Sequence, residues 1–216
     1  MSPKSQKTFF WVTVFAVAMG WLEASVVVYL RELYYPGGFA FPIHVIEKSI
    51  GLVEIGRELA TILMLLTVGI LAGRTKLERF GYFAAAFGIW DIIYYVGLKL
   101  SIGWPKSLLT WDLLFLIPLP WIGPVLAPIL VSIALITACV VIVVQQDRGS
   151  PLQTTWKQWF LLITCGLIII LSFIVDYKTA FTTGAPDRYR WELFVLGYIP
   201  AWYILLSVLR HTKKRV

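Results

Sequence analysis

Four carboxylates and one guanidinium stand where a chain otherwise made of hydrocarbon should have none. Glu23, Glu54, Glu58 and Asp91 fall inside long apolar runs, and Arg57 enters beside them. An ionised group at mid-membrane costs about 2.5–3.5 kcal/mol on insertion scales, so such residues face a bundle interior or a wet cavity. Carboxylates of this kind exchange protons, hold cations or act as general acids and bases, and an arginine among them recognises phosphate or carboxylate. Counting 1.5 Å per residue from the expected helix ends places Glu23, Glu58 and Asp91 at one depth, roughly 10 Å below the outer boundary. Glu47, Glu54 and Glu58, at spacings of seven and four, follow one helical stripe down from that surface.

A second feature is an echo. Trp90-Asp91-Ile92-Ile93-Tyr94 and Trp111-Asp112-Leu113-Leu114-Phe115 repeat a Trp-Asp pair followed by two aliphatics and an aromatic. Asp91 belongs to the shared-depth set, whereas Asp112 is expected at the lip of the same cavity, closer to water. Trp90, the deepest tryptophan, is the one placed for cation–π binding. Trp104, Trp111, Trp121, Tyr94, Tyr95 and Trp191 are expected as an interfacial aromatic belt.

Three uses compete. Arg57 could pair with its acidic neighbours as a register lock with no other role, but the acids outnumber it. Either some carboxylates are protonated or a cation completes the site. The preferred expectation is a small carrier or binding component for a polar or cationic solute, with proton coupling, because no nucleophile is identifiable. A membrane-embedded enzyme acting on a lipid-linked or isoprenoid substrate is the alternative, with Glu58 or Asp91 as acid/base and Arg57 on the phosphate. The third is an assembly subunit pairing with a membrane-protein partner.

Other chemistries are excluded by what is missing. His44 and His211 are the only histidines, too few for bis-histidine haem across two helices with the second in the basic tail, or for a tri-histidine metal site. Cys139 and Cys165 lie in separate apolar runs with no CxxC, so they read as buried thiols. No GxSxG, Walker loop or GxGxxG occurs. The E-x-x-x-E spacing of Glu54 and Glu58 is seen also in membrane undecaprenyl-pyrophosphate phosphatases, but the Gly/Ser/Arg-rich companion motif of that family is absent. Neither a cofactor nor a metal is expected.

The elements that must position these residues follow from composition. The 216 residues are 59% hydrophobic and only 14% charged, with mean hydropathy +0.79, against roughly 25% charged in soluble domains. The bilayer is therefore the expected partner, and the net charge of +7 needs no nucleic acid to explain it. Six stretches reach the roughly 20 residues of a span: 9–30, 52–73, 80–100, 121–144, 157–175 and 191–209. Their short connections predict one domain over 1–216, an all-α six-helix integral membrane bundle. The first stretch lacks a cleavage site and reads as a retained span rather than a signal peptide. Pro118, Pro120, Gly123, Pro124 and Pro128 interrupt helical bonding, which predicts a short broken or re-entrant helix at 108–117 before the fourth span. Eleven Lys and Arg fall on one side of this topology and seven on the other, which predicts a cell-membrane protein with both termini cytoplasmic. No three-plus-three inverted repeat relates the halves.

Overall fold

The computed structural model describes residues 1–43 and 48–213. Among them, six helices are long and apolar enough to cross a membrane. In chain order the elements are α1 (Pro3–Tyr34), α2 (Lys48–Ala72), α3 (Lys76–Ile102), β1 (Trp111–Phe115), β2 (Trp121–Pro124), α4 (Leu126–Asp147), α5 (Trp156–Ile174), α6 (Tyr177–Thr182) and α7 (Trp191–Lys213). Local chemistry sets several ends. Ser2 caps α1 ahead of Pro3, and Thr75 caps α3 by accepting from the Glu78 amide. Gly103 closes α3 in the left-handed region at φ 69°, where a side chain would be strained. Thr155 and Gln158 form a reciprocal capping box on α5.

Helix α3 is the hub, packed against α1, α2 and α4. Close backbone approach through small residues packs these apolar helices. A Cβ on Gly20 would sit 2.6 Å from the Trp90 carbonyl oxygen, and one on Gly88 2.7 Å from that of Ser132. These two glycines set how near α1 and α4 come to α3, and so fix where Trp90 and Asp91 lie.

The segment before the fourth span is a hairpin, not the expected helix. Strand β1 pairs antiparallel with β2, Asp112 opposite Gly123 and Leu113 opposite Ile122, with a register shift between Leu113 and Phe115. The cause is the proline spacing. Ile117, Leu119 and Gly123 each precede a proline, which disfavours their helical conformation, so the chain stays extended and folds back. For the same reason the fourth span begins at Leu126 rather than at 121. The hairpin descends deep into the bundle. Phe115 stacks on Phe87 with centroids 6.0 Å apart, and the Leu116 amide donates to Glu58, contacts close to the midpoints of α3 and α2. Extended backbone at that depth must be satisfied by protein, and the strand pairing and Glu58 do this.

Three of the aromatics expected as an interfacial belt pack against other rings of the bundle. Trp121 stacks on Phe173, Trp111 meets Tyr189 edge-on, and Trp191 packs on Tyr189 and Phe194. Together they weld the hairpin to α5 and α7.

Candidate functional site

On α1 the residues Glu23, Val27, Leu30, Arg31 and Tyr34 recur at helical spacing and share one wall of a cavity. Helix α2 supplies Glu54, Arg57, Glu58 and Thr61, α3 supplies Trp90 and Tyr94, and β1 with the residue after it supplies Asp112 to Leu116. The cavity encloses ≈ 120 Å³. Three ion-pair or hydrogen-bond ties cross it. Arg57 donates to Glu23 on α1, and its Nε and Nη2 lie 2.9 and 2.8 Å from Glu54 Oε2, so one guanidinium bridges α1 and α2. The Leu116 amide reaches both Glu58 oxygens at 3.1 and 3.0 Å. Arg31 Nη2 lies 3.0 Å from Asp112 Oδ1, joining α1 to the hairpin.

Asp112 is not a water-facing lip. It is 1% exposed, and the Tyr94 hydroxyl stands 3.5 Å from its Oδ2. Burial pushes its carboxyl up to about 6, against the pull of Arg31, the Leu113 amide and the Tyr95 and Tyr94 hydroxyls. The hairpin causes the difference, because a strand descending between α1 and α3 carries its second residue inward.

Asp91 is not with the other acids. It accepts from Ser132 Oγ at 2.8 Å and borders a separate apolar cavity of ≈ 240 Å³ with Phe87, Trp121 and Phe173. Adjacent helical residues project about 100° apart, so once Trp90 turns to the polar cavity Asp91 must turn toward α4. Leu114 and Phe115 line both cavities, which makes β1 the partition between them. Trp90 is 5% exposed and its Nε1 has no partner among the described residues. Glu47 and His44 lie outside the described residues.

Arg31, in sequence only one of the seven basic residues of the outer side, is 7% exposed and central to this wall. Its Cζ sits 3.8 Å from the Trp104 ring and 4.6 Å from that of Phe39, two rings set at 84° to one another. The eight-residue step from Glu23 to Arg31, a little over two turns, is the sequence signal that would have found it. The cavity therefore holds Glu23, Glu54, Glu58 and Asp112 against Arg31 and Arg57, an excess of two acidic side chains. No three His, Cys, Asp or Glu side chains converge as a metal site among the described residues.

The far end of the bundle is tied shut by a separate network. Asp147, ending α4, accepts from the Ser2 amide at 2.6 Å, from Ser5 Oγ at 2.9 Å and from Arg74 Nη2 at 2.9 Å. Arg74 also pairs with Glu78, which is fully buried. This joins the starts of α1 and α3 to the ends of α2 and α4, whereas the cavity lies between the opposite halves of α1 to α3. No family model, curated protein or solved structure matches the chain.

Proposed function

We propose that the protein is a small carrier or binding component for a compact polar or cationic solute, loaded from the end of the bundle remote from its basic termini. One observation carries this reading: four buried carboxylates and two guanidinium groups line a single cavity. A surplus of two acids inside a bundle is balanced by protons or by a bound cation, and a cation entering such a site displaces protons. Solute binding and proton release are thereby coupled. The size fits a compact solute, since an apolar cavity of about 150 Å³ holds one benzene. Tyr34, Tyr35, Phe39 and Trp90 add aromatic faces to the wall, suited to cations. The Arg74–Asp147 network at the far end corresponds to the closed side that a carrier needs while its other side is open.

The neighbouring apolar cavity favours a second reading, an enzyme or carrier for a lipid-linked substrate. Its polar part would sit among the carboxylates and its chain beyond Leu114 and Phe115. Uptake of labelled guanidinium, a membrane-impermeant cation, into proteoliposomes separates the two. The expected result is uptake driven by an imposed pH gradient and lost in Glu54→Gln. Absence of guanidinium uptake and binding alike would overturn the solute reading.

A further inference from the structure

We propose that the solute is bipolar, and that Arg31 receives its hydrogen-bond-accepting end while the carboxylates of α1 and α2 hold its cationic end. This rests on the cation-binding reading above and adds to it a second recognition element of opposite polarity.

Arg31 carries a buried donor that lacks an acceptor among the described residues. Arg31 spends Nη2 on Asp112 and its guanidinium face on the Phe39–Trp104 corner. Its Nη1 is buried and has no partner among the described residues. The Arg31 side chain belongs to the cavity wall. Buried donors in native proteins are overwhelmingly satisfied, so an unpartnered guanidinium edge in a cavity wall points to an acceptor that enters the cavity. The aromatic corner and Asp112 fix the orientation of the guanidinium, leaving one edge as a preorganised donor. A fixed guanidinium edge is matched to a carboxylate or another charged oxygen.

Spacing narrows the class. Arg57 bridges Glu23 and Glu54, so the acids of α1 and α2 share a level. Arg31 is eight residues beyond Glu23, about 12 Å along the axis. Both side chains lean toward the helix N-terminus and so keep that offset. Contacts of about 3 Å at each end leave on the order of 6 Å between opposite charges, the reach of an ω-amino acid of about four to six carbons.

Titration calorimetry on the detergent-purified protein at neutral pH tests this with n-butylammonium, butanoate, γ-aminobutanoate and ε-aminohexanoate. The expected result is binding of one or both amino acids at least about tenfold tighter than n-butylammonium, the equivalent of about 1.4 kcal/mol. That ratio should fall toward unity in Arg31→Gln/Asp112→Asn, which removes both charges of the pair together. Equal affinity for n-butylammonium and both amino acids in the unaltered protein overturns the bipolar assignment and leaves the cation reading standing. Butanoate binding tighter than n-butylammonium, or no binding by any probe, overturns the cation reading and this one with it. The comparison among probes on the unaltered protein decides the matter even if a variant does not fold.

Discussion

Arg31→Ala isolates the buried pair that holds the hairpin to α1. The side chains of Arg31 and Asp112 are 9% and 1% exposed, so the substitution leaves a carboxylate inside the bundle without its cation. Breaking such a buried pair costs about 3–5 kcal/mol, and loss of the guanidinium from the Trp104 and Phe39 faces adds about 0.5–2 kcal/mol. At about 2–4 °C per kcal/mol for a chain of this length, the melting temperature in detergent should fall by about 10 °C or more. Asp112→Asn on the Arg31→Ala background should recover part of the loss, because the unpaired charge is gone.

The pH dependence has a definite sign. The Asp112 carboxyl is raised in the fold from 3.8 to about 6, chiefly by burial. A raised carboxyl favours the protonated folded form, so its contribution is fully present below about 3.8 and is lost as pH rises through about 6, a change on the order of 3 kcal/mol. Without Arg31 the carboxyl rises further. The Arg31→Ala defect should therefore be large near pH 7 and shrink near about pH 5, where Asp112 takes up a proton. Tryptophan-fluorescence melting of the parent, both single variants and the double variant at the two pH values measures all of this. A defect of the same size at both pH values, or an Arg31→Ala variant that melts like the parent, would refute the claim that the pair is buried and charged.

Glu58→Ala removes the acceptor of the Leu116 amide and should cost about 1–3 kcal/mol. It should also raise deuterium uptake across Leu113–Leu116, with Glu58→Gln milder because it keeps an acceptor oxygen; unchanged uptake in Glu58→Ala would show that the hairpin is held without it. Single cysteines at Lys4, Ser150 and Thr183, with Cys139 and Cys165 replaced, should label from one side for the first two and from the other for Thr183. Labelling of Lys4→Cys and Thr183→Cys from the same side would defeat the six-span topology.

Helices were legible in the sequence because their signal is one-dimensional. A run of apolar residues long enough to cross hydrocarbon has to bond its backbone internally, and five of the six long apolar helices lie where such runs lie; the fourth differs in starting at Leu126. The prolines of 118–128 announced a break but not its form, because the same spacing that forbids a helix permits either a loop or a strand. Pairing of Trp111–Phe115 with Trp121–Pro124 depends on what flanks them, and that is a property of the packed bundle.

The acids divide in the same way. Burial of Glu23, Glu54, Glu58 and Asp91 followed from their place in apolar runs, since depth along a span is set by residue number. Direction around a helix is set by contact. Asp91 and Trp90 are neighbours in sequence, and only the close approach of α1 at Gly20 and α4 at Gly88 decided that Trp90 faces the polar cavity while Asp91 faces Ser132. Arg31 and Asp112 are separated by 81 positions, and no local pattern couples them. Sequence by itself determined how far along its helix each of the helical acids lies, because that position is counted along one chain. Tertiary structure decided which charges meet, because meeting requires the angular positions of two helices and a strand to be fixed at once.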